Sequence, residues 1–253
     1  TLSVALQLGV TLIALAFALR LIHRRLDMKV GHWLRLRVGG GHVRARYLRD
    51  LSASAAFTLS EVAAYNAPYF LIALATREAR PLLLFDFLFK MGRALSMTVR
   101  ALVEAALPRA TRAFHAGDAV RFGQVVRRAL AGAAVAALAA AVGLALIGRW
   151  LFAELFDGKA AIGAGDIALV ALGLAALAIM CVSVYIQSAL GRFRHLLWRS
   201  LPFLAGSLAS VPLAALWGAQ FDHMFLALYT LTLLGAGAVH AHSLRALMRT
   251  IGR

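Results

Sequence analysis

Five ionisable side chains fall within residues 81–108, PLLLFDFLFKMGRALSMTVRALVEAALP, a stretch otherwise dominated by leucine, phenylalanine and alanine. At about 100° per residue, Asp86, Lys90, Arg93, Met97, Arg100 and Glu104 lie within about 40° of one line along a helix. From 86 to 104 that line rises roughly 27 Å, nearly the depth of a bilayer's hydrocarbon. Asp86 and Lys90 are four apart and can pair, as can Arg100 and Glu104. Members near the ends can also reach the interface along their own stems. Arg93 differs: it stands about mid-span with no acidic residue three or four positions away. A central arginine costs about 2.5–3.5 kcal/mol to insert into lipid, so it must face a bundle interior or water. Arginine binds phosphate by forked paired bonds and lysine does so as a point charge. The chemistry expected of Lys90, Arg93 and Arg100 is therefore anion recognition, with no catalytic residue assigned.

The preceding segment, LRDLSASAAFTLSEVAAYNAPYFLIALA, offers a second polar line of Asp50, Ser54, Thr58, Glu61 and Tyr65 on one helical side. Glu61 is deep enough to need a partner, which Lys90 or Arg93 would supply across the helix pair. Pro68 is expected to kink this helix. The candidate site is thus a water-filled cleft lined by Glu61, Asp86, Lys90, Arg93 and Arg100, with a net positive wall. A proton or sodium pump would instead expose isolated carboxylates.

These residues need a scaffold, and composition says which kind. Hydrophobic residues make up 62% of the 253, charged residues 15%, and the mean hydropathy is +0.78. An ordinary soluble domain is nearer half apolar and a quarter charged. Apolar stretches of roughly 20 residues recur, each long enough to cross a bilayer. Only helices or closed barrels satisfy their backbone in lipid, and the alternation of a barrel strand is absent. The expected fold is an all-α polytopic transmembrane bundle of about seven spans, near 2–22, 50–74, 81–107, 127–150, 166–190, 198–217 and 223–244.

The net charge of +16 is distributed by topology. Loops at 23–49, 108–126, 191–197 and the tail after 244 hold most of the arginine and lysine, whereas the opposite loops offer Arg77, Arg80 and Lys159. That asymmetry puts the basic loops and the C-terminus in the cytoplasm and argues against a nucleic-acid partner. The single cysteine, Cys181, falls inside a span and reads as a small buried apolar residue. His240 and His242 are two apart, the wrong spacing for metal ligands on one helical face, and the Asp222–His223 pair reads as a surface feature. No metal or cofactor is called for.

Residues 1–22 read as a helix running outside to inside, because its positive charge follows the apolar run. With Thr1 in place of a methionine, the expectation is that a native N-terminal part is missing. Residues 23–49 form a basic linker suited to lying on anionic membrane lipid; its Gly39–Gly41 triplet lacks the context of a phosphate loop. Residues 50–253 then make one six-helix lobe. Gly132, Ala136, Ala140 and Gly143 are expected to allow close helix packing. Residues 106–130 are expected to include a short amphipathic helix at the cytoplasmic surface, broken at Gly117-Asp118.

Three stretches resemble the bacterial polysaccharide flippases of the multidrug/oligosaccharidyl-lipid/polysaccharide exporter superfamily. They are ALPRATRAFHAGDAVRFGQVVRRAL (106–130), with a helix end at Leu-Pro, a short helix and a Gly-Asp turn; YIQSALGRFRHLLWRSL (185–201), with an Ala-Leu-Gly-Arg turn; and the polar span after a long basic linker. The resemblance implies that residues 1–22 end a missing first lobe and that 50–244 form the second. It also implies alternating access in the bacterial inner membrane, with an undecaprenyl-diphosphate-linked, often acidic glycan carried outward for cell-surface polysaccharide such as lipopolysaccharide. Lys90, Arg93 and Arg100 would receive the diphosphate, and polysaccharide-assembly proteins would be partners. The alternatives are a cation-coupled multidrug exporter of the same superfamily, in which Glu61 and Asp86 would dominate, and a membrane enzyme or scaffold of glycan assembly.

Overall fold

Six long helices follow one another through short connections: α1 (Gly41–Ala75), α2 (Arg80–His115), α3 (Ala119–Leu155), α4 (Ala164–Ala189), α5 (Phe193–Ala215) and α6 (Phe221–Thr250), with a 3₁₀ turn at Gly218–Gln220. This computed structural model describes residues 16, 17, 20 and 41–251, and among them there is no strand. The chain divides into two units, Thr1–Leu51 and Ser52–Arg253, and the bundle and sites below belong to the second. Most of the predicted first span and of the predicted linker, including Gly39 and Gly40, lie outside the described residues. α1 begins at Gly41, earlier than the expected 50. The reason is local: Arg44, Ala45, Arg46, Leu48 and Arg49 are good helix formers with no breaker among them.

Four helical segments are long and apolar enough to cross a membrane: Ala119–Leu155, Ala164–Ala189, Phe193–Ala215 and Gly218–Thr250. α1 and α2 have the length, at 35 and 36 residues, but their polar faces leave them short of that apolar content. These four are counted among the described residues, so the predicted first span at 2–22 falls outside the count. The outside of the bundle is itself apolar. On α3, Val135, Leu138, Leu146 and Trp150 are 62–79% exposed. Such a continuous apolar surface is costly in water and ordinary in lipid.

α4 is the central element, packing against α2, α3 and α6, while α5 packs on α6. An aromatic cluster fills the interior. Phe85 of α2 lies 4.7 Å from Tyr69, 5.0 Å from Tyr229 and 5.7 Å from Phe225, joining α1, α2 and α6 edge to face. Phe87, on the other side of α2, meets Phe152 of α3 at 5.2 Å. In lipid such contacts hold helices together by close packing, because the tails around them are as apolar as the side chains.

Proline and glycine shape the connections. Pro68 has no N–H to offer the Ala64 carbonyl; α1 continues through it as helix, and the Ser207 hydroxyl of α5 donates to that freed carbonyl, tying α1 to α5. Pro108 likewise does not end α2, which continues to His115, with Thr111 and Arg112 side chains donating to the Leu107 and Pro108 carbonyls. The expected separate surface helix is therefore the end of α2 and the start of α3. The break at Gly117-Asp118 is as predicted. Gly117, at φ +69°, closes a Schellman turn in which its N–H reaches Phe114 O and that of Asp118 reaches Ala113 O; Asp118 then caps α3 by accepting from Arg121 N at 2.9 Å. Gly191, also at φ +69°, ends α4 in the same way, with Arg192 N bonded to Gln187 O.

The close helix approaches lie elsewhere than predicted. A Cβ on Gly143 would meet nothing within 4 Å, and one on Gly132 would make an ordinary contact with Leu102. The buried stripe of α3 is its neighbour, Ala129, Ala133, Ala137 and Leu144. The tight glycines include Gly92, whose Cβ would sit 2.9 Å from Leu177 Cδ2, Gly237, 3.2 Å from Ala176 O, and Gly206, 2.5 Å from Thr232 Cγ2 and 2.7 Å from its Oγ1. Both arms of Thr232 block the position, and its hydroxyl is held by Leu228 O at 2.9 Å. Gly206→Val is expected to destabilise the α5–α6 seam by about 1–3 kcal/mol, read as a lower unfolding temperature of the full chain in detergent. A variant melting with the native chain would mean that the seam has slack there.

Candidate functional site

A cavity of about 370 Å³ opens between α1, α2, α4 and α6. α1 contributes Glu61 and Tyr65; α2 contributes Phe85, Phe89, Gly92, Arg93 and Ser96; α4 contributes Met180, Cys181 and Tyr185; and α6 contributes Tyr229 and Leu233. Most of the wall is aromatic or aliphatic. Tyr65 stands 5.1 Å from Phe203 and 6.3 Å from Phe89, so the rings brace one another at the mouth of the cavity. Cys181, read from sequence as a buried apolar residue, is only partly buried and donates to Ser96 Oγ at 3.3 Å across the α2–α4 contact.

The structure divides the predicted stripe. Glu61 and Arg93 both reach the cavity, but no ion pair joins them; the predicted pairing of Glu61 with Arg93 or Lys90 is not formed among the described residues. Lys90 is occupied instead. Its Nζ lies 2.8 Å from Asp86 Oδ2 and 4.8 Å from the centre of the Phe156 ring, while the Tyr69 hydroxyl donates to Asp86 Oδ1 at 2.8 Å. Asp86 and Lys90 thus form a neutral cluster beside the cavity and not part of its lining. The same-helix pairing of Arg100 with Glu104 is present at 2.7 Å, and the Arg100 guanidinium also lies 6.0 Å from the Tyr185 ring, against the outer side of a cavity residue. Only Arg93 and Met97 of the stripe are left with neither ion pair nor cation–π contact. Arg93 is exposed, at the cavity edge, with no hydrogen bond or ion pair among the described residues.

No family model matches the chain, and neither the curated proteins nor the solved structures supply a match. The chemistry of the site is therefore read from its own residues. One carboxylate and one guanidinium, neither with a hydrogen bond or ion pair among the described residues, share a chamber walled mostly by aromatic and aliphatic side chains. Such a chamber can hold an amphipathic molecule, its apolar part against the rings and its charged group at Arg93 or Glu61.

Two polar clusters were not legible in the sequence. At one end of the bundle, Asp166 is 5% exposed and accepts from Arg80 Nη2 at 3.1 Å, His223 Nδ1 at 3.0 Å and Gly163 N at 3.1 Å, while Arg80 also pairs with Asp222. A carboxylate only accepts, so Nδ1 of His223 carries the proton there. The Asp222–His223 pair, predicted as a surface feature, is part of a clasp over the ends of α2, α4 and α6. The bond from Gly163 N to the Asp166 side chain is what a helix cap shows in sequence; the contacts from Arg80, 86 positions away, leave no local signal.

Toward the other end, Gln187 of α4 donates to Ser183 Oγ at 2.8 Å and Ser243 Oγ at 3.1 Å, His240 Nδ1 lies 3.0 Å from Ser183 Oγ, and His195 Nε2 lies 2.9 Å from Ser243 Oγ. Ser183, Gln187 and His240 are fully buried. His240 Nε2 has no partner among the described residues, a cost of about 1–3 kcal/mol. His240 therefore serves the α4–α6 contact, and the sequence clue to it was the small polar residues recurring on one side of α4.

Proposed function

We propose that this protein is part of a membrane transporter, a flippase lobe that carries an undecaprenyl-diphosphate-linked oligosaccharide outward across the bacterial inner membrane by alternating access. The observation that carries this reading is Arg93: a cation near the middle of a long helix, exposed at the edge of the central cavity, with no protein counter-ion among the described residues. A buried or lipid-facing arginine without a partner is costly, and a transported phosphate would remove that cost while bound. In this reading the exposed line of α2 at Arg93, Met97, Arg100 and Glu104 faces a second lobe across a shared path, and Arg100 releases Glu104 to contact the diphosphate or an acidic sugar. The α1 and α2 helices then span the membrane on their polar faces, which brings the count to about seven with the segment before residue 23. The protein does no covalent chemistry; its work is recognition and rocking. The test is the export phenotype of an Arg93→Ala protein.

A second reading has its own observation. Glu61 enters the same cavity without a hydrogen bond or ion pair among the described residues, amid Tyr65, Phe89, Tyr185 and Tyr229. Aromatic faces with one carboxylate suit an organic cation, as a cation-coupled multidrug exporter would need.

Orientation is open to direct measurement. The reading places Lys159 outside and Arg192 inside. In a Cys181→Ser background, Lys159→Cys is expected to react with a membrane-impermeant thiol reagent in intact cells, and Arg192→Cys only after permeabilisation. The reverse pattern would invert the bundle and remove the outward direction of transport.

A further inference from the structure

The turn between α2 and α3 holds a second cavity, of about 360 Å³, lined by Arg109, Arg112, Ala113, Ala116, Asp118 and Arg121. Its three arginines are exposed, and none forms an ion pair among the described residues. The one acid in the lining, Asp118, forms no ion pair with them among the described residues and caps α3 by accepting from the backbone N of Arg121, 2.9 Å away, so three cations against one anion leave the lining net positive. Arg112 spends only its Nε, on Pro108 O at 3.1 Å, which fixes the plane of its guanidinium and leaves both terminal nitrogens to point elsewhere. The alanines at 113 and 116 leave the floor of the pocket low, and the Gly117 turn brings the end of α2 and the start of α3 around it.

The setting selects the ligand. α3 is long and apolar enough to cross a membrane, and its first turns, ahead of the apolar run that follows Arg128, stand on the water side of one membrane boundary, within reach of lipid headgroups. Val120, next to the pocket's Arg121, is 73% exposed, an apolar side chain beside the pocket. A basic pocket between helices at that depth matches a phosphate attached to lipid better than one free in water.

We propose that Arg109, Arg112 and Arg121 form a binding site for the phosphate of an anionic phospholipid headgroup. The forked guanidiniums hold the phosphodiester oxygens. The site rests on reading α3 as a span and is independent of what passes through the central cavity.

The test uses the full chain in neutral detergent, with native mass spectrometry to measure binding of phosphatidylglycerol, phosphatidylcholine and inorganic phosphate. The native chain is expected to bind phosphatidylglycerol at least about tenfold more tightly than phosphatidylcholine, and Arg109→Gln/Arg112→Gln/Arg121→Gln to lose that preference. The corresponding triple lysine variant keeps the charge and loses the forks, so its preference should fall part-way; it carries the test alone if the glutamine variant does not fold. An unchanged preference in either triple variant would overturn the site. Inorganic phosphate binding as tightly as the lipid would overturn the lipid assignment. Arg149→Gln, an exposed arginine near the other end of α3, should bind phosphatidylglycerol like the native chain.

Discussion

An Arg93→Ala protein, within its complete transporter, is expected to strand lipid-linked glycan on the cytoplasmic side of the membrane, with export reduced by about 100-fold or more. The magnitude follows from two charge-assisted bonds to a phosphate, each worth about 1.5–3 kcal/mol, against tenfold for about every 1.4 kcal/mol. Arg93→Lys retains the charge without the fork and should recover part of the export. Arg93 makes no ion pair among the described residues, so its removal should leave protein level and helical content unchanged. The measurement is surface polysaccharide together with the pool of lipid-linked precursor inside the cell. Normal surface polysaccharide at normal protein level would remove Arg93 from the transport path. Glu61→Gln separates the two transport readings: loss of resistance to cationic drugs, with glycan export intact, would move the function to the carboxylate and its aromatic surround.

The largest expected effect on stability is at Asp166. Its carboxylate, 5% exposed, is shared by Arg80, His223 and the N–H of Gly163, so that one side chain closes the ends of three helices. Asp166→Ala leaves Gly163 N without its cap and His223 Nδ1 without its acceptor, while Arg80 keeps Asp222. Removing one member of a buried ion pair costs about 3–5 kcal/mol; with Arg80 at 41% exposure, water recovers part of this, and a loss of about 2–3 kcal/mol is expected. In a chain of this size that lowers the unfolding temperature by roughly 5–10 °C. Lys159→Ala is the control, since Lys159 meets Asp157 at 3.5 Å with both side chains well exposed, and it should change stability by less than about 0.5 kcal/mol. Equal melting of the Asp166→Ala and native proteins would show that the clasp does not bind the helix ends together.

Much of the helical framework was legible because lipid reduces the problem to one dimension. A chain that must hydrogen-bond its own backbone and show an apolar outside announces α3 to α6 by apolar length. The Gly117-Asp118 break and the Gly191 turn were legible as well, since a left-handed residue and a side-chain cap are local devices. The pairs Asp86–Lys90 and Arg100–Glu104 were legible for the same reason, one helical turn separating each. Where the expectation failed, the deciding partner was remote in sequence. Nothing near Pro68 in the sequence tells that Ser207 takes up the freed Ala64 carbonyl, and nothing near Lys90 tells that the Phe156 ring lies against it.

The sequence by itself determined an all-helical chain with a polar stripe on one helix and an arginine unpaired along it, because charge, length and the 3.6-residue period are properties of a single segment. Only the tertiary structure decided which members of that stripe meet a cavity. The packing of Phe85 and Phe87 sets which level of α2 meets the cavity, and that level is Arg93's, while Lys90 and Arg100 stay with Asp86 and Glu104 on their own helix and beside the Phe156 and Tyr185 rings.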